Sequence, residues 1–236
     1  MLQLAIECSG KVGSIALFQE DQLLEFQPLE DGRGNVETLA PAIAALLNRR
    51  KPDFLSIVNG PGSFTSLRVG LAQAKMLAFA WDIPVVPVNT LELLATSASI
   101  ALHSEAACLV LPCLNAYRKQ VFVAAYRFDG TEIVELQASV VRDAAAWQAD
   151  PIRETLDDAG SDIDVPIKAY CVGPGLEVYP VAGTNAEPLN SKYWEPTALN
   201  MGDIGLAKYR RGQSLAAGEL LPNYVRRSAA EEKLGG

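Results

Sequence analysis

Hydrophobic positions come first in short runs and later on helical faces. Leu2-Gln-Leu-Ala-Ile6 reads as a buried strand. Ser14-Ile-Ala-Leu-Phe18 reads as its return, after a turn flanked by Gly10 and Gly13. The turn QEDQ then leads into Leu23-Leu-Glu-Phe26, completing a three-stranded meander, and Gly32 and Gly34 mark a loop. A helix is predicted from about Thr38 to Arg50, with Thr38 as N-cap. Pro41 sets that start, because its missing N–H is harmless in the first turn and breaks a hydrogen bond further in. Arg49 and Arg50 suit the negative end of the helix dipole. A strand over 54–58, a glycine loop, a helix over 64–81 and a short strand in DIPVVPVNT come next. The third helix is capped by Thr90 and runs to about Leu102.

The second part starts in the same way. Ala107 to Leu114 is an apolar strand, and Gln120 to Phe128 alternates and returns through DGT into Ile133 to Val140. Ala144 to Ala159 is helical with a break at Pro151, and Ile167 to Val172 is a strand ending in Gly173-Pro-Gly175. Thr197 to Arg211 reads as a helix and Leu220 to Arg226 as an extended tail. Antiparallel meanders succeeded by alternating strands and helices imply α/β architecture with mixed sheets flanked by helices. One βββα layout is used twice, over residues 1–104 and 105–236.

Composition narrows the function classes. The 236 residues are 49% hydrophobic and 20% charged, enough for a sizeable core. The net charge of -8 argues against a chain that grips nucleic acid alone, since such binding needs a basic face. No basic face is evident, though Arg210, Arg211, Arg226 and Arg227 form small local clusters, so an RNA role calls for a partner. Cys8, Cys108, Cys113 and Cys171 fit neither a zinc pair nor a disulfide framework and read as buried free thiols. No signal peptide or run of about 18 apolar residues appears, which points to the cytoplasm and no membrane role. His103 is the single histidine, read as a solvated helix-end residue, so no His-pair metal site is available.

The stretch NGPGSFTSLRVG, Asn59 to Gly70, has the strand–loop–helix layout that often binds phosphate. It lacks the lysine of a P-loop, and Thr65 stands where GxGxxG needs its third glycine. The pattern left is a tight turn, Ser63 as N-cap, and Arg68 in a first turn where cations are disfavoured. Arg68 serves a buried carboxylate or an anion, or is a surface residue beside a structural turn. Glu7, at the end of the first strand, either holds a magnesium ion, or caps a turn or pairs with Lys11 or Arg68. At 100° per residue, Leu67, Gly70, Leu71, Ala74, Leu77 and Ala78 share one face of helix 64–81. Val69, Ala72, Met76, Phe79 and Ala80 lie roughly opposite. One side covers the sheet; the other needs either a neighbouring helix or another protein.

Taken together, LAIECSGKVGSIALF, ETLAPAI, GPGSFTSLRVGLAQAKMLA and the late PNYVR resemble the TsaB (YeaZ) family. The resemblance implies two RNase-H-like lobes of the actin/Hsp70-like ATPase superfamily. It implies a non-catalytic scaffold that pairs with TsaD, and with the ATPase TsaE, to form threonylcarbamoyladenosine at adenosine 37 of tRNA. No cofactor is bound tightly; ATP and metal are expected in the partner subunits, and tRNA is met only through the complex. The pairing surface, also used for a homodimer when alone, falls on the first two helices. Leu39, Ile43, Val69, Ala72, Met76 and Phe79 would make contacts. Gly60, Gly62, Ser63, Phe64, Thr65 and Arg68 would hold the helix start, and Glu7 and Lys11 would be a vestigial anion or metal site. The chain departs from the family pattern: Glu7 replaces Asp, Asn35 replaces His, Ser66 replaces Gly, and Asn115-Ala116-Tyr117 with Arg118 after it replaces Asp-Ala-Arg. The alternative is a stand-alone ATP-dependent transferase or peptidase-like enzyme of the same fold.

Overall fold

The computed structural model describes residues 1–29, 35–102, 107–158 and 168–226. The chain separates into two compact units, Met1–Leu93 with Pro196–Asn223, and Leu94–Glu195 with the chain from Tyr224 onward.

The first unit is built on β1 (Leu2–Glu7), β2 (Ser14–Gln19), β3 (Gln22–Pro28), β4 (Phe54–Gly60) and β5 (Val85–Asn89). Their order is β3-β2-β1-β4-β5. The meander pairs are antiparallel, while β1–β4 and β4–β5 are parallel. Strand alternation explains why β1, β2 and β4 are apolar on both faces. Leu4, Ile6, Ile15, Leu17, Leu55 and Ile57 pack with helices α1 (Asn35–Leu47) and α2 (Phe64–Trp81). Their neighbours Ala5, Ala16, Phe18, Phe54 and Val58 pack with Ala198, Met201 and Leu206, which belong to a 3₁₀ turn and a later helix.

The second unit repeats this topology. Its strands are β6 (Cys108–Tyr117), β7 (Gln120–Phe128), β8 (Ile133–Asp143), β9 (Ala169–Val172) and β10 (Glu187–Pro188), in the order β10-β9-β6-β7-β8. β6 takes the role of β1, antiparallel to β7 and parallel to β9. The division between Leu93 and Leu94 falls inside α3 (Thr90–Leu102), which precedes this sheet in the chain. Helices α4 (Ala144–Ala149) and α5 (Pro151–Leu156) bury Trp147, whose Nε1–H donates to Thr155 Oγ1 at 3.0 Å. After β9 comes α6 (Gly175–Val178), only 4 residues long where α2 has 18.

Several expectations are corrected. α1 starts at Asn35 and carries Pro41 inside it. An internal proline costs about 3 kcal/mol of helix stability, but Leu39, Ile43, Leu46 and Leu47 are all buried against the sheet and hold the helix through it. α1 ends at Leu47, and Arg50 caps it by donating from Nε to Leu47 O and from Nη2 to Leu46 O. Thr90 is the first residue of α3 and not its cap; the Asn89 side chain accepts the Leu91 N–H at 2.7 Å. The helix expected over 197–211 is a 3₁₀ turn, Ala198–Met201, and then α7 (Gly202–Arg210). The boundary expected after residue 104 assigned this segment to the second lobe, whereas residues 196–223 belong to the first. The reason is the second apolar face of its sheet, which Met201 and Leu206 cover. The Gly32–Gly34 loop, His103 and Arg227 lie outside the described residues.

Candidate functional site

The glycine loop between β4 and α2 is filled by its own chain. Gly60 has φ +118°, and a Cβ there would stand 3.0 Å from the Asn223 carbonyl oxygen. The Gly60–Pro61 peptide is cis. A Cβ on Gly62 would lie 2.8 Å from Ser9 Cβ and Ser9 O. The N–H of Ser63, which a phosphate would seek at a helix N-terminus, donates instead to Ser9 O at 3.1 Å. The β1–β2 turn and the segment at Asn223 therefore pack against the two glycines, and the turn takes the first of the N–H groups an anion would use.

Ser63 does occupy the N-cap position, but its side chain makes no capping bond; its Oγ lies 3.0 Å from Ser66 Oγ. Thr65 is exposed. Arg68 is also exposed, with its guanidinium 3.8 Å from the Phe64 ring centroid, a cation–π pair one helical turn apart. Glu7 is fully buried and closes its own turn. Its Oε1 accepts from Ser9 N–H at 2.5 Å, Ser9 Oγ at 2.6 Å and Gly10 N–H at 3.2 Å. Lys11 is exposed in the same turn. Burial, and behind it the Glu7 carboxylate, pushes the Cys8 thiol up. All four cysteines are buried and free. Among the described residues no group of three or more His, Cys, Asp or Glu is placed to hold a metal, and no helix is long and apolar enough to cross a membrane.

α2 spans Phe64–Trp81 as its periodicity predicts, and its two faces meet different surroundings. Leu67, Gly70, Leu71, Ala74 and Ala78 are buried. Gly70 lets the helix sit directly on β1, since a Cβ would fall 2.1 Å from Cys8 Sγ. On the other side Phe79 is 84% exposed, Met76 63% and Phe64 46%. Ala72 and Ala80 are exposed and Val69 is half-buried. Scattered apolar exposure is ordinary, but a large ring and a thioether adjoining on one helix face form a patch.

Leu39 and Ile43 do not join that patch. They are 0% and 2% exposed, inside the core of the first unit, because with Leu46 they form the i, i+4, i+7 stripe that faces the sheet. The outward side of α1 is instead Ala40, Pro41, Ala44 and Ala45, which sequence reasoning misses. The signal is present in the small residues Ala40, Ala44 and Ala45, which fall off the stripe of Leu39, Ile43 and Leu46. In the second unit, Asn115 Oδ1 accepts the Tyr117 N–H at 2.8 Å. It closes a hairpin whose Tyr117, Arg118 and Lys119 all have positive φ.

Two lobes of one strand order, each a mixed sheet flanked by helices, define an actin/Hsp70-like ATPase-type fold of two RNase-H-like lobes. A solved structure of this type, YeaZ from Pseudomonas aeruginosa, matches 94% of this chain and 99% of its own with TM-score 0.72 at 22% identity. The family profile described as TsaD, tRNA N6-adenosine threonylcarbamoyltransferase, matches residues 26–191. The tRNA threonylcarbamoyladenosine biosynthesis protein TsaB of Haemophilus influenzae is 27% identical over 241 residues, covering 99% of this chain and 97% of that protein. The protein of the same name from Bacillus subtilis is 34% identical over 133 residues, 54% of this chain and 56% of its own. The chain belongs to this family, on its TsaB (YeaZ) branch.

Proposed function

We propose that this chain acts in the biosynthesis of threonylcarbamoyladenosine in tRNA as a non-catalytic scaffold subunit that docks a TsaD homologue through the outward face of α2. The observation that carries the reading is the two-sidedness of that helix: Leu71, Ala74 and Ala78 are buried in the core while Phe79 and Met76 stand in solvent. An apolar face of this kind is stabilised when a partner covers it. A TsaE homologue joins the assembly, tRNA is reached through the complex, and the chain alone self-associates through the same face. The assembly works in the cytoplasm, with ATP and metal held by the partner subunits.

The filled glycine loop supports this reading over a stand-alone ATP-dependent enzyme, because Ser63 N–H already donates to Ser9. A peptidase-like reading needs a nucleophile with a base, and the Ser63 hydroxyl lies 3.0 Å from another hydroxyl, Ser66 Oγ, which is no base. The test is co-purification of the full chain with the TsaD homologue of the same cell, repeated with Phe79→Asp. Loss of the partner with that variant is the expected result. Saturable binding of ATP and magnesium to the isolated chain, measured by calorimetry, would overturn the scaffold reading.

A further inference from the structure

Residues 215–223 return to the first unit and finish at the start of α2. Leu215 exchanges two backbone hydrogen bonds with Val85 of β5, at 2.8 and 2.9 Å. The 3₁₀ turn Ala217–Glu219 is closed by Glu219 Oε2, which accepts the Ala216 N–H at 2.9 Å. Leu220 is fully buried in the cluster that holds Leu71, Ala74 and Ala78 of α2. The Asn223 N–H donates to Asn59 O at 2.7 Å, and the Asn59 side-chain amide lies 3.5 Å from Leu221 O. The Asn223 carbonyl occupies the space that Gly60, by lacking a Cβ, leaves open.

The start of α2 is poorly secured by its own residues. Ser63 makes no side-chain cap, no acidic residue lies in the first turn, and Arg68 sits near the positive end of the dipole. Support comes from outside the helix: Ser9 O takes the Ser63 N–H, and the returning segment takes Asn59, Gly60 and the underside at Leu220. We infer that residues 215–223 form a strap that positions the docking helix. The docking face is therefore assembled from segments near both ends of the sequence, and the first part of PNYVR, Pro222-Asn223, is the strap's final anchor. This inference rests on the docking reading. By linkage, a partner that needs α2 in this position also protects the strap when it binds.

The experiment uses the full chain, its Asn223→Pro and Gly60→Ala variants, and Phe79→Asp as reference. Asn223→Pro removes one donor; Gly60→Ala crowds the same contact from the other side and adds the backbone strain of a side chain at φ +118°. Readouts are amide hydrogen exchange at Leu67–Leu71 and affinity for the TsaD homologue of the same cell. Both strap variants are expected to speed exchange there by about tenfold and weaken the partner by about fivefold, the scale of one lost backbone hydrogen bond. Phe79→Asp is expected to weaken the partner without changing that exchange. Unchanged exchange in both strap variants overturns the inference, as does faster exchange with unchanged affinity when Phe79→Asp does weaken the partner. If Phe79→Asp weakens the partner and the strap variants do not, docking stands and the strap falls. If Phe79→Asp also leaves affinity unchanged, the docking reading falls, and positioning of α2 is decided by the exchange alone.

Discussion

Phe79→Ala separates a docking residue from a core residue by the sign of two measurements. The ring is 84% exposed in the chain alone. Fully burying a phenylalanine side chain contributes about 1.5–3 kcal/mol. Most of that remains to be gained here, and truncation to alanine keeps one methylene, so about 1–2 kcal/mol is lost from each buried ring. At 1.4 kcal/mol per decade this weakens a heterodimer about 5- to 30-fold. On a two-fold symmetric self-association the ring counts twice, giving about 30- to 900-fold. Stability of the free chain should stay within about 0.5 kcal/mol, because no intramolecular burial is lost. Leu71→Ala is the contrast: that residue is 4% exposed, and truncation should cost about 2–5 kcal/mol of folding stability. Association is measured by sedimentation velocity and by calorimetry against the TsaD homologue, and stability by denaturant unfolding at a concentration where the chain is monomeric. An affinity change below about twofold, or a stability loss above about 1.5 kcal/mol, would refute the assignment of Phe79 to the docking face.

Gly70→Ala should destabilise the first unit by about 1–3 kcal/mol through the collision with Cys8 Sγ. Adding Cys8→Ala should recover part of the loss, and a strictly additive double mutant in denaturant unfolding would show that another contact is responsible. Ser63→Ala should cost less than about 0.5 kcal/mol because the side chain caps nothing, whereas Asp143→Ala should cost about 1 kcal/mol, since Asp143 Oδ1 accepts from the N–H groups of Ala145 and Ala146. Equal melting-temperature shifts for the two would contradict the cap assignments. Asp129 is held down to about 2 by the Glu132 N–H, then by the N–H and hydroxyl of Thr131. Its folded value is below its unfolded one, so its support for the β7–β8 turn is complete above the ordinary carboxylate range and fades as pH falls towards about 2. A carboxyl NMR titration centred near 4 would contradict that network. The four buried thiols should react with a thiol reagent only as fast as the chain opens; immediate reaction of any at neutral pH would contradict their burial.

The fold is legible in the sequence wherever periodicity is strong. Both meanders, the 18-residue α2 and the break at Pro151 come from alternation, the 3.6-residue repeat and proline chemistry. Helix starts are less legible, because packing outweighs local rules. Pro41 argues for a late start to α1, yet burial of Leu39, Ile43 and Leu46 holds a longer helix around it. Ser63 has the right residue type at the right place without the capping bond; its Oγ pairs with Ser66 Oγ three residues on. For the site, helical angles separate buried from outward residues on α2. The same angles on α1 place Leu39 and Ile43 on the sheet side and Ala40, Ala44 and Ala45 outward, so the large apolar residues there are core and not contact. Membership of residues 196–223 in the first unit is beyond sequence reading, because it depends on the second apolar face of a sheet formed by strands far away in the chain.

The glycine loop shows how a strand–loop–helix layout suited to anions is put to another use. Such a loop binds phosphate when its glycines bring backbone N–H groups to an open concavity. Here Gly60 and Gly62 bring the backbone just as close, but to Asn223 and Ser9. The second unit repeats the pattern at Gly173-Pro174-Gly175, where a Cβ on Gly173 would stand 2.3 Å from Cys113 O. Gly60 and Gly173 share positive φ values of +118° and +122°. In both lobes the glycines after the second parallel strand therefore accept other parts of the chain itself. The next element differs between the lobes: an 18-residue helix with an outward apolar face in the first, and a single helical turn in the second. A glycine pair that admits chain on both sides anchors the helix that follows it. The exposed Met76 and Phe79 further along α2 gain a fixed platform from that packing.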